Sequence, residues 1–366
     1  MNSHTDNDVL SKYACDVELN VGRMIQDVNA AKPSTLCRER PASSLGLLDT
    51  VPAELLLLIL NLLDFQSLSR VSRVCFRGKI IVESLSSYRQ VMRHAPKVLT
   101  ALTKTNLISR YPASFILHTL QTRHCVSCLD FGAFLYLPSC ERVCLECLYQ
   151  NRGLWMITTA TARKCFGLTQ RQLQTIPIMR SIPGTYSVRT LEKTHRKIYQ
   201  LVSMRHAKQL GLDVHGSLEK LTEFMPSMSG GRVRSKEFYE FKRYHEAPLE
   251  PPGHDMSKLP EKANIGNDHF AGMASLRVPY ISGSGADWGY LCRGCQVTYR
   301  QFRDGSLPSA ILSELCPPNI HPDRPLFAST TRFYSRDGLL DHIEDCYGIQ
   351  HIRRNEKSLI VSHAKS

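Results

Sequence analysis

The 366-residue chain is 42% hydrophobic and carries 46 Lys and Arg against 33 Asp and Glu, a formal net charge of +13. That apolar fraction excludes a chain disordered throughout, and the length suits two or three domains. The positive excess is spread thinly, densest over residues 232–236 and 353–357, which reads as a solubility feature before a nucleic-acid footprint.

The first 23 residues contain no apolar core of a signal peptide. The most apolar stretch, residues 55–63, falls far short of the ~20 residues a membrane-spanning helix needs. An intracellular protein, in cytoplasm or nucleus, is therefore expected. Thirteen cysteines in a reducing compartment then point to metal ligation rather than disulfides, because several stand in Cys-x-x-Cys pairs.

Residues 1–44 are polar without a sustained period and are expected to be disordered. Residues 45–122 read as helices. Pro52 suits a helix start, where its missing N–H costs nothing, and Glu54 suits the positive end of the helix dipole. A second helix is predicted from about 65–68 past Val71 and Val74, followed by helices over 80–94, 96–109 and 112–121. Residues 55–63 are apolar nearly all round, so the first helix must be covered on more than one side. A unit of about 40 residues cannot cover both faces by itself, so either later helices or another protein must do it.

Val51-Pro52-x-Glu54-Leu55, Ile59-Leu60-x-x-Leu63-Asp64 and Leu68-x-x-Val71-x-x-Val74-Cys75 together resemble the F-box family. The resemblance implies a three-helix unit that docks a Skp1-type adaptor and joins a cullin–RING ubiquitin ligase. The docking residues it implies are Pro52, Leu55, Ile59, Leu60, Leu63, Leu68, Val71 and Val74. The family often carries a tryptophan near position 78, where this chain has Gly78.

Residues 123–150 are a knuckle region. Cys125-x2-Cys128 and Cys144-x2-Cys147 are separated by the fifteen residues 129–143, a spacing suited to one zinc ion in a four-thiolate shell. Such a closed shell is structural rather than catalytic. Cys140 and His124 are rival ligands, and Cys140 and Cys165 equally suit buried small hydrophobes. Downstream, Thr161-Ala162-x-Lys164-x-Phe166-x-Leu168-Thr169-x3-Leu173 extends the knuckles into a pattern that resembles the zinc domain of the xeroderma pigmentosum group A repair-scaffold family. It implies a nucleic-acid-binding alternative, with Lys164, Arg171 and Arg189 facing phosphates.

Residues 155–225 read as helical, broken at Pro183-Gly184, and complete a first zinc-knuckle region over 123–225. The Gly/Pro/Ser-rich, charged segment 226–265 reads as a linker. A second knuckle region, 266–352, carries a predicted strand over 276–281, Cys292-x2-Cys295, and a helix near 337–346. His342 and Cys346 stand four apart on that helix and so share a face, offering two more ligands. Cys316 and His321 compete, and the pairs Cys125/Cys128 and Cys292/Cys295 sharing one metal is a further arrangement; one or two structural Zn2+ ions are expected. Residues 353–366 read as a polar tail. The order of F-box, cysteine pairs, Phe-Gly-Leu-Thr helix, Pro183–Tyr186 turn and late knuckle resembles a fungal F-box group.

No Gly-x-Ser-x-Gly, phosphate loop or His-Glu-x-x-His occurs. The expected fold is mainly α, with an N-terminal three-helix F-box and small zinc-stabilised α+β units. The expected role is non-enzymatic: handing an unknown protein target to a ubiquitin ligase.

Overall fold

A computed structural model describes residues 3–15, 23–26, 28–32, 43–188, 192–226, 231–249, 268–283 and 285–363. More than half of these are helical, with sheets of only two or three short antiparallel strands. The mainly α expectation with small α+β units therefore holds.

The apolar stretch forms the helix Ala53–Asn61, entered through extended Pro52. Asp64 then caps Phe65–Val74, its carboxylate accepting the Ser67 N–H at 2.9 Å. Cys75 caps Phe76–Ser84 by accepting from the Gly78 N–H. The helix expected over 80–94 is two helices, because extended Leu85 breaks it between Phe76–Ser84 and Ser86–His94 while burying its own side chain. The helix expected over 96–109 stops at Lys104, where Asn106 takes a left-handed conformation (φ 63°) that asparagine tolerates well. Ala113–Gln121 packs against Ser86–His94, and its Ala113 N–H donates to the Leu63 carbonyl just past the first helix at 2.9 Å.

These helices do not close a core of their own. Leu56, Leu60 and Leu68 belong to the same buried cluster as Phe134, Tyr136, Leu145 and Leu276. The central strand of that region, Phe134–Tyr136, pairs with Glu141–Val143 on one side and Ser275–Arg277 on the other. Arg142 is buried at this junction and donates to the carbonyls of Gly132 (2.7 Å) and Pro279 (2.9 Å). Burial, the largest cause, pushes its pKa down to about 10. The single strand expected over 276–281 is two strands, Ser275–Arg277 and Tyr280–Ser282, separated at Pro279, which has no N–H for a ladder. Tyr280–Ser282 turns back instead as a hairpin with Gly285–Asp287.

Residues 155–225 are not purely helical. Gln200–Ser203 lies between Met156–Thr158 and Ile178–Arg180 in one sheet, and Gly184–Tyr186 pairs with Lys193–His195. Strands of three or four residues are too short to display a period in sequence. The helices Thr159–Phe166 and Met204–His215 cover the three-stranded sheet around Trp155, Phe166 and Val202. The linker expected over 226–265 is in part a helix, Gly231–Glu246, whose Phe241 and Tyr244 are buried in this second core. Residues 227–230 and 250–267 lie outside the described set.

The C-terminal unit centres on Tyr290–Cys292, flanked by Phe333–Tyr334 and, unexpectedly, by Ala14–Cys15. The N-terminal helix Ser3–Tyr13 packs there too, against the expectation of disorder over 1–44. Its partners lie some 280 positions away in sequence, so no local pattern announces them. Residues 23–26 and 28–32 also pack, with Met24, Ile25 and Val28 buried in the main core; residues 16–22 and 33–42 lie outside the described set. The tail expected over 353–366 continues the helix Tyr347–His363, with 364–366 outside the described residues. Among the described residues no helix is long and apolar enough to cross a membrane.

Candidate metal centres and an uncovered helix face

Two groups of cysteine and histidine side chains converge. In each, the four ligand atoms lie within 4.8 Å of one another. The first group is Cys125, Cys128, Cys144 and Cys147, and the second is Cys292, Cys295, His342 and Cys346. The arrangement in which Cys125/Cys128 and Cys292/Cys295 share one ion is not formed.

The first centre is built by local backbone geometry. The Cys125–Cys128 turn directs the Ser127 N–H at the Cys125 sulfur (3.4 Å). Cys144 caps the helix Leu145–Gln150, its sulfur accepting from the Cys147 N–H at 3.3 Å. The two halves meet with Cys128 Sγ 3.5 Å from Cys144 Sγ. Cys125, Cys144 and Cys147 are all buried in the main core.

The second centre joins a strand end to a helix end. Cys292 closes its strand and Cys295 sits in the first turn of Arg293–Arg303. His342 lies on Arg336–Asp345 and Cys346 terminates that helix. Cys292 Sγ stands 3.7 Å from Cys346 Sγ, and Cys295 Sγ 3.2 Å from His342 Nε2. The His342 ring stacks on Tyr334 at 4.5 Å, which fixes its orientation. Close approach of the two halves requires glycine on both sides. A Cβ on Gly348 would fall 1.9 Å from the Gly294 carbonyl oxygen, and one on Gly294 would fall 2.7 Å from Cys346 Sγ.

The thiols are crowded enough that they would ionise together only around a cation. Hydrogen bonds with Cys125, Cys128 and Cys147, together with burial, push Cys144 well above the ordinary thiol range. Cys292, Cys346 and burial do the same to Cys295. Several adjacent thiolates cannot persist in such a site without positive charge among them. A soft, four-donor shell that leaves no open position suits a structural ion. The donor sets are four sulfurs in one centre and three sulfurs with one imidazole in the other.

The rival ligands are occupied elsewhere. The Cys140 thiol is fully buried, raised to about 12 by that burial, and belongs to the apolar core. His124 is exposed, its Nδ1 donating to the Leu129 carbonyl at 2.6 Å. Cys165 is buried in the second core. Cys316 joins neither group, and His321 Nδ1 accepts from the Asp323 N–H.

The helix Ala53–Asn61 presents two unlike faces. Leu56 and Leu60 are 4% and 3% exposed, whereas Leu55, Leu58, Ile59 and Leu62 are 52%, 62%, 49% and 72% exposed. These four occupy positions i, i+3, i+4 and i+7, one row on the solvent side. Leu47, Val74 and Ile80 are also exposed. Of the residues expected to dock a partner, Pro52, Leu55, Ile59 and Val74 face solvent. Leu60 and Leu68 are buried in the chain's own core, and Leu63 and Val71 are partly buried against it. Leu58, Leu62 and Ile80 were not among those expected, because an all-leucine run does not reveal which side its own fold covers. At Gly78 a Cβ would meet the Val71 carbonyl oxygen at 2.7 Å, so the backbone crossing leaves no room for an indole.

The three basic residues of the nucleic-acid alternative do not form a described cluster. Lys164 is paired with Glu237 at 3.5 Å, Arg171 is exposed on the short helix Gln170–Leu173, and Arg189 lies outside the described residues. No family model, curated protein or solved structure matches the chain.

Proposed function

We propose that this chain is the F-box substrate-recognition subunit of an SCF-type ubiquitin ligase, docking a Skp1-type adaptor through the N-terminal helices and a protein target through the metal-braced remainder. The observation that carries this reading is the solvent-facing row Leu55, Leu58, Ile59 and Leu62, on a helix whose sequence resembles the F-box motif. A row of four large aliphatic side chains is left in water unless a second surface covers it. Val74 and Ile80 add two more exposed aliphatic residues from the following helices.

In this reading both centres hold zinc, for which thiolate and imidazole donors in fours are the preferred shell. The ions fold the body and take no part in chemistry. Bond-making belongs to the partners; this chain supplies proximity, holding the target beside the transfer machinery.

The test is co-expression of the full chain with a Skp1-type adaptor, comparing wild type with the double variant Leu58→Asp, Leu62→Asp. The wild type should bring the adaptor down; the variant should keep its metal content and lose the adaptor. Equal recovery of adaptor by both proteins would reject the docking face.

A further inference from the structure

The second metal centre is assembled from residues 290–346, yet the apolar cluster around it includes two residues from the opposite end of the chain. Leu10 and Tyr13 are buried with Cys292, Cys295, Leu339, Ile343, Cys346 and Ile349. Three of those six neighbours are metal ligands. The strand register extends the contact: Ala14 pairs with Cys292 itself, and Cys15 with Leu291. Polar contacts hold the outside of the seat. Lys12 Nζ meets the Glu356 carboxylate at 2.6 Å, and the Arg353 guanidinium lies 5.2 Å from the Tyr13 ring centre.

Two consequences follow from this interlock. Without an ion, only weak thiol contacts join the strand end at Cys292 to the helix end at Cys346, so the wall that receives Leu10 and Tyr13 loosens. Without the N-terminal segment, a very small core loses two of its largest side chains and its ligands lose their cover. Binding of the ion and seating of the segment must then favour each other equally.

We propose that residues 3–15 are a metal-dependent latch, seated only on the loaded second centre and slowing escape of its ion once seated. The latch rests on the metal reading of the second centre. It also reaches the docking unit, because Met24, Ile25 and Val28, a few residues further on, are buried in the same core as Leu56 and Leu60. The metal state of the C-terminal unit thereby governs a segment tied at its other end to the adaptor-docking helices.

The experiment uses the full-length zinc-loaded protein and two full-length variants. Hydrogen exchange is followed over residues 3–15, and zinc release into excess chromophoric chelator is timed for each ion. In Cys346→Ser, amides of 3–15 should exchange at least about 100-fold faster than in wild type, as expected when two buried side chains lose their seat. Exchange over residues 134–143 should not change. In Leu10→Asp, both ions should still be present, with one released about 10-fold faster or more and the other at the wild-type rate. Continued protection of 3–15 in Cys346→Ser, or wild-type release of both ions from Leu10→Asp, overturns the latch. A wild-type protein that binds only one ion, kept in full by Cys346→Ser, removes the second metal centre itself, and the latch with it.

Discussion

Replacing leucines on the two sides of the helix Ala53–Asn61 should give opposite results for chemically identical changes. Leu56 and Leu60 lie in the main core beside Leu68 and Ile116, with almost no surface in water. Truncating either to alanine removes buried methyl groups and leaves a cavity, a loss of about 2–5 kcal/mol. Leu58 and Leu62 keep most of their surface in water. Truncating them removes little packing, and alanine is the better helix former, so stability should change by no more than about 0.5 kcal/mol. In a thermal melt followed by far-UV circular dichroism, Leu60→Ala should lower the transition of this core by about 5–15 °C, while Leu58→Ala should leave it within about 2 °C. The apo and zinc-loaded proteins should be melted separately, because a bound ion shifts the midpoint by mass action. If Leu58→Ala and Leu62→Ala cost as much as the inner pair, the outer row is packed against the chain's own polypeptide and has no need of a partner.

Two further changes test the second candidate metal centre and the junction in the main core. Gly348→Ala puts a methyl group into the Gly294 backbone, so the purified variant should contain one ion fewer than wild type by elemental analysis, with the first centre still loaded; an unchanged metal content would show that the crossing opens without cost to the site. Arg142→Met removes a buried donor to the carbonyls of Gly132 and Pro279 and should destabilise the main core by about 3–5 kcal/mol in urea; a loss below about 1 kcal/mol would mean that water or another donor replaces the guanidinium.

The two cysteine and histidine clusters were the most legible part of the sequence, for a physical reason. A tetrahedral ion needs donors in pairs, a tight Cys-x-x-Cys turn supplies one pair, and a helix supplies another only at spacings of three or four, as at His342 and Cys346. Those constraints are local and leave a local trace. The N-terminal segment leaves none, because Leu10 and Tyr13 are buried against residues near the far end of the chain. The helix Gly231–Glu246 was hidden for a related reason. Its glycine- and serine-rich surroundings signal a linker, and only Phe241 and Tyr244, three apart, hint at a buried face. In the helix Ala53–Asn61 the sequence carries too much apolar signal rather than too little. Eight leucines and isoleucines within residues 55–63 suit burial on any side, and only the packed fold separates Leu56 and Leu60 from Leu58 and Leu62.

The most direct measurement is hydrogen exchange of the intact zinc-loaded chain with and without a saturating purified Skp1-type adaptor. Docking through the uncovered row requires slower exchange over residues 53–62 and 74–80, with the second core around Trp155 and Phe241 unchanged. An adaptor that leaves residues 53–62 exchanging at their free rate, or that slows only regions away from them, would contradict the assignment of this face as the point of attachment.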